Sequence, residues 1–107
     1  MGDKTITIVL PEEMAHYEGE LRYFFDSMVR KLFVNREKGF GEGVTFNQAL
    51  ALIRGELCEL RNAPANGEAQ FAAYFETVDI ANVAFIASLV LSRMTKNEYK
   101  ELKNVQP

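Results

Sequence analysis

Cysteine and histidine each occur once in this chain of 107 residues. With Cys58 alone, neither an intrachain disulfide nor a cysteine metal cluster can form. His16 stands far from the acidic pairs described below and reads as a surface residue. No apolar stretch approaches the ~20 residues that span a bilayer. The longest mostly apolar run is 80–91, and no cationic signal region precedes it. The expectation is therefore a cytoplasmic protein without membrane contact. The net charge of −3 gives no electrostatic footprint for nucleic acid or an anionic membrane. Internal repeats are absent, and the length suits one domain whose surface stays largely exposed unless the chain oligomerises.

What is present is mostly helix-forming. Residues 4–10 are the exception: they alternate apolar and polar side chains and are rich in β-branched types, so they predict a strand or extended arm. No second strand is available, which leaves packing along the helices, pairing with another copy, or mobility. Pro11, Glu12 and Glu13 mark a helix start. That helix is expected over about 11–36, with Met14, Tyr17, Leu21, Phe24, Met28, Leu32 and Phe33 at helical spacing. Gly39, Gly41 and Gly43 then break the chain into a loop, which lacks the Gly-Lys-Ser/Thr of a phosphate-binding loop. Thr45 and Gln48 have capping-box spacing, fixing a second helix start at Phe46. Pro64, Asn66 and Gly67 mark a turn before a long helix over about 68–94. Thr95 and Glu98 repeat the capping-box spacing and open a short terminal helix. The predicted architecture is all-α: an antiparallel bundle of three main helices plus a short C-terminal one, with an extended arm (1–10) and a tail (95–107).

Two acidic pairs stand out, Glu56 with Glu59 near the end of the second helix and Glu76 with Asp79 inside the third. Residues three apart lie on one side of a helix. On antiparallel neighbours the pairs can face each other and present four hard oxygen donors, which suits a divalent metal. Such pairs also arise by chance where about one residue in seven is acidic, and Glu98 with Glu101 is one in a lysine-rich tail. The first two differ in position. Glu56 falls at the edge of the stripe Phe46, Ala49, Leu50, Ile53, Leu57 and Leu60, with Leu52 beyond it. Asp79 lies between Val83 and Ile86, beside the stripe Phe71, Phe75, Val78, Phe85, Ile86 and Leu89, and is expected to be partly buried. Arg54 and Arg61 point away from Glu59, so neither neutralises the group. A solvated helix edge remains the bland alternative.

The run Glu37-Lys38-Gly39-Phe40, then Leu52-Ile53 leading into Glu56-x-x-Glu59, then Glu76-x-x-Asp79 resembles the MazG-like, all-α nucleoside triphosphate pyrophosphohydrolases. That superfamily includes dimeric dUTPases, dCTP pyrophosphatases and phosphoribosyl-ATP pyrophosphohydrolases. The resemblance covers about 37–91. It implies hydrolysis of a nucleoside triphosphate to monophosphate and pyrophosphate, with magnesium, or manganese in its place, held by Glu56, Glu59, Glu76 and Asp79. Glu56 and Glu59 carry the catalytic expectation. Lys38 would reach phosphate and Phe40 would stack on the base, since Gly41 stands where many relatives have tryptophan. Relatives contact phosphate from a further helix, a role for which this chain offers Lys96, Asn97 and Lys100. Asn82 is either a core amide or a contact to sugar or base.

A carboxylate-bridged di-iron bundle needs Glu-x-x-His on two helices, and neither pair is followed by histidine. The rival class is a non-catalytic helical oligomerisation or interaction module. The long helix carries apolar residues on several sides, with Ile80 and Ala87 opposite the stripe and Tyr74 and Ala81 on a flank. A homodimer or homotetramer is therefore expected, with the first helix as the partner surface.

Overall fold

A computed structural model describes residues 2–105, so Met1 of the arm and the last two residues of the tail lie outside the described residues. The described chain is all-α, with no strand. Residues 2–10 form an extended arm without a pairing partner, and Ile6 and Val9 are each 86% exposed. A 3₁₀ segment, Glu12–Tyr17, precedes helix α1, Glu18–Val34. Sequence spacing predicted one continuous helix there. No side chain caps the first turn and none of its residues is buried, so nothing holds that turn to α geometry.

A second 3₁₀ turn, Arg36–Lys38, leads into the glycine loop, where Gly39, Gly41 and Gly43 all adopt positive φ. Gly41 is buried over Ile86, against which a Cβ would collide. The loop is thus seated on the third helix by a residue that must be glycine. Helix α2, Phe46–Arg61, opens with the expected capping box: the Gln48 amide donates to Thr45 Oγ1 at 3.1 Å and the Thr45 amide to Gln48 Oε1 at 2.9 Å. Helix α3, Ala69–Arg93, begins where the Ala69 amide donates to Asn66 Oδ1 at 2.8 Å. Helix α4, Lys96–Val105, has the second capping box, Thr95 with Glu98.

Helix α3 is the spine, against which both α1 and α2 pack. Helices α2 and α3 run antiparallel: Glu56 meets the first half of α3, and Thr45 to Asn47 share a cleft with Val90, Arg93 and Met94 at its end. Helix α1 lies along the first half of α3, where the Phe24 ring meets the edge of Tyr74 and the Asn82 side chain reaches the Met28 carbonyl. Of the stripe expected on α1, Leu21, Phe24, Met28 and Leu32 are half-buried, whereas Met14, Tyr17 and Phe33 are exposed.

The buried core is small: Ala49, Val78 and Ala87, with Asn82 among them. Phe71, Phe75 and Phe85, expected inside, are exposed, and Ala87, expected on the bare side, is buried. Helix α3 is apolar nearly all round, so helical periodicity does not mark one face as the buried one. Its 25 residues include an 18-residue window of mean hydropathy 1.5, long and apolar enough by length and composition to cross a membrane, which the shorter run 80–91 did not suggest. The accessible surface is 8962 Å² for 12.1 kDa, against roughly 6000 Å² for a folded monomer of that mass. The radius of gyration, 16.6 Å, likewise exceeds the ~13 Å of a compact domain this size.

Candidate metal centre

The antiparallel packing of α2 on α3 sets Glu56 opposite Glu76 and Asp79, one turn apart on α3. One carboxylate oxygen from each of these three lies within 4.8 Å of the other two. All three residues are half-buried. Oε2 of Glu56 and Oε2 of Glu76 are shielded from solvent with no hydrogen-bond partner. Buried carboxylate oxygens without donors are costly, and like charges this close raise the cost. The fourth expected ligand, Glu59, is exposed and stays outside this trio. It is near enough to Glu76 to act on its ionisation.

The ionisation of the site follows from this crowding. The Glu56 carboxyl, ordinarily near 4.5, is pushed up to about 7, first by burial, then by its contact with Glu76 and the charges of Glu59, Asp79 and Glu76. The Glu76 carboxyl is raised as well, chiefly by burial, with Glu59 and Asp79 adding to the effect and the contact with Glu56 opposing it.

Asp79 has a partner that the sequence reading missed. Lys31, on α1, places Nζ 3.7 Å from Asp79 Oδ1. Its signal was present: Lys31 is seven residues after Phe24 and three after Met28, which puts it at the edge of the α1 stripe. Lys31 also lines a groove of about 300 Å³ between α1 and α3, together with Tyr23, Asp26, Ser27, Arg30 and Phe75, and Asp79 forms part of its wall.

The remaining expected site residues are scattered. Asn82 is a core amide, 6% exposed, whose Nδ2 donates to the Met28 carbonyl at 3.2 Å while Oδ1 has no partner. It therefore joins α3 to α1 through Nδ2. Lys38 and Phe40 are exposed in the connection before α2. The loop that follows Phe40 sits over Ile86, two turns or ~10 Å along α3 from Asp79. Lys96 and Lys100 are exposed on α4, beyond the end of α3, which lies more than ~20 Å along the axis from Asp79. Within one chain the structure does not bring these two lysines to the carboxylates. A second cleft, at that far end, is lined by Arg93 but also by Glu98 and Glu101.

The donor set fits a divalent cation. It consists of hard oxygens only, and two of them are buried without any donor, a state that a bound cation relieves. Comparison of the chain with protein-family models, characterised proteins and solved structures gives no match.

A pH dependence follows with a definite sign. Between pH 4.5 and about 7 the folded chain retains a proton on Glu56 that the unfolded chain releases. Rising pH therefore removes stability across that window, and the raised Glu76 acts in the same direction. In the presence of a chelator the melting temperature should fall as pH rises through this range, and Glu56→Gln should flatten much of the fall. A melting temperature that climbs with pH there would contradict the crowding described above.

Proposed function

We propose that the protein is a metal-dependent nucleoside triphosphate pyrophosphohydrolase. The observation that carries the reading is the convergence of Glu56, Glu76 and Asp79 from two antiparallel helices, with two buried oxygens left without donors. The resemblance of Glu56-x-x-Glu59 and Glu76-x-x-Asp79 to the MazG-like pattern points the same way. Glu56, Glu76 and Asp79 would hold magnesium or manganese. The chemistry such an ion would supply there is neutralisation of phosphate charge and a lowered pKa for an attacking water.

The residues of the chain divide the remaining work. Glu59 stands beside Glu76 but outside the tight trio, which leaves it able to take the proton from water as general base. The water oxygen bonds to the α-phosphorus, the bond from that phosphorus to the α–β bridging oxygen breaks, and pyrophosphate leaves. The groove between α1 and α3 offers Tyr23 and Phe75 to a base, and Arg30 and Lys31 to phosphate. It adjoins Asp79, unlike Lys96 and Lys100.

The test is product analysis. Incubation of nucleoside triphosphates with magnesium should yield monophosphate and pyrophosphate, and Glu59→Gln should lower kcat by two to four orders of magnitude, the usual worth of a general base, roughly 10²–10⁴. Release of diphosphate and orthophosphate would place the cut elsewhere and remove the assignment.

A second reading, a helical oligomerisation module, is favoured by the uncovered apolar surface. Phe25, Val29 and Phe33 recur every four residues along α1, and Phe71 is 74% exposed. A second copy over α1 covers this face in both readings, which differ only in catalysis. Light scattering should report a dimer or tetramer at micromolar concentration, and a monomer would contradict the assignment of that face.

A further inference from the structure

The only basic side chain paired to the carboxylate trio among the described residues is Lys31, and the way it meets Asp79 is unusual for a structural ion pair. The contact is long, 3.7 Å, and the Lys31 side chain is 48% exposed while that of Asp79 is 21% exposed. No hydrogen bond accompanies it. Lys31 neutralises one carboxylate and leaves Oε2 of both Glu56 and Glu76 without a partner. Its stem is flexible, and the groove it lines also holds a second cation, Arg30, with Asp26 beside it and Asp79 in its wall. An ammonium placed in this way can leave Asp79 without unfolding anything, and the groove it already lines has room for it beside Arg30.

Resting on the metal-centre reading above, we infer that Lys31 is an exchangeable counter-cation: it holds Asp79 while the site lacks a divalent ion and turns into the α1–α3 groove, beside Arg30, once that ion is bound. There the two cations face the phosphates of the substrate. Two consequences of opposite sign follow. While Lys31 sits on Asp79 it competes with the ion, so it weakens binding of the metal alone. After exchange it is a phosphate contact, so it strengthens binding of a triphosphate to the metal-loaded protein. A residue that only supports the fold moves both affinities together or neither. One that only adds positive field near the site shares its effect with Arg30.

The experiment is calorimetric titration of the full chain with Mn²⁺, then of the Mn²⁺-saturated chain with an α,β-methylene nucleoside triphosphate, which is not cleaved. Lys31→Met keeps the stem and removes the charge. It should bind Mn²⁺ roughly fivefold more tightly than the parent, as suits a half-exposed pair, and the triphosphate analogue about tenfold more weakly, as suits a lost charge-assisted contact. Arg30→Met should leave the affinity for Mn²⁺ alone unchanged and weaken only the analogue. Circular dichroism of each variant confirms that it is folded, and Lys31→Gln replaces Lys31→Met if the latter is not. Unchanged or weaker Mn²⁺ binding by the Lys31 variant overturns the exchange while leaving the metal centre intact. An equal gain in Mn²⁺ affinity from Arg30→Met overturns it too, by showing a general field. Absence of Mn²⁺ binding to the parent removes the metal centre itself, and the exchange with it.

Discussion

The burial of carboxylates between α2 and α3 is the constraint around which this small fold is arranged. Glu56, Glu76 and Asp79 are held within 4.8 Å of one another, and two of their oxygens meet neither water nor donor. Within the chain, relief comes from a proton retained on Glu56 and from a long contact with Lys31. Both forms of relief are incomplete: the proton eases Glu56 and, through their contact, part of the burden on Glu76, while Lys31 eases Asp79 alone. The surrounding features keep the crowding in place. The capping box at Thr45 and the cap from Asn66 fix where the two helices begin, and so set which turns face each other.

Around that pair the rest of the molecule is thinly packed. The core amounts to a few side chains on α2 and α3, and among the described residues Asn82 gives the one hydrogen bond from that core to α1, by donating to the Met28 carbonyl. A buried amide with an idle oxygen is a weak anchor by itself. The chain therefore presents a carboxylate site and a broad apolar face at once. The two belong to one design if a second copy supplies the packing that three helices cannot, because the helix that bears the Phe25, Val29 and Phe33 ridge also carries Lys31 and Arg30 into the groove beside Asp79.

Local signals in the sequence were the most legible part of the fold. Both capping boxes, the glycine break and the helix starts at Phe46 and Ala69 rest on neighbouring residues, and the structure has them at or within one residue of the expected places. The pairing of Glu56 with Glu76 and Asp79 was legible as well, because spacing and a short connection leave little freedom. Three things were not. The exposed Phe71, Phe75 and Phe85 read as inward by spacing because α3 is apolar on all sides, and a periodic signal needs a polar side to be read against. Glu59 lies outside the trio because residues three apart share a side without sharing depth. Lys31 stands at the edge of the α1 stripe by spacing, but spacing along α1 does not say which carboxylate of the distant α3 it meets.

Thermal melts with and without magnesium test the central claim that this carboxylate cluster is a divalent-cation site. Glu76 is the residue to change, since Asp79 already has Lys31 and its loss would disturb two interactions. Glu76→Gln keeps the shape and removes one buried charge. Without metal the variant should melt at or above the parent's temperature, and millimolar magnesium should raise the parent's melting temperature while leaving the variant nearly unmoved, by linkage. A parent indifferent to both magnesium and manganese, with a variant that melts below it, would contradict the claim and make the cluster a structural feature of a helical interaction module.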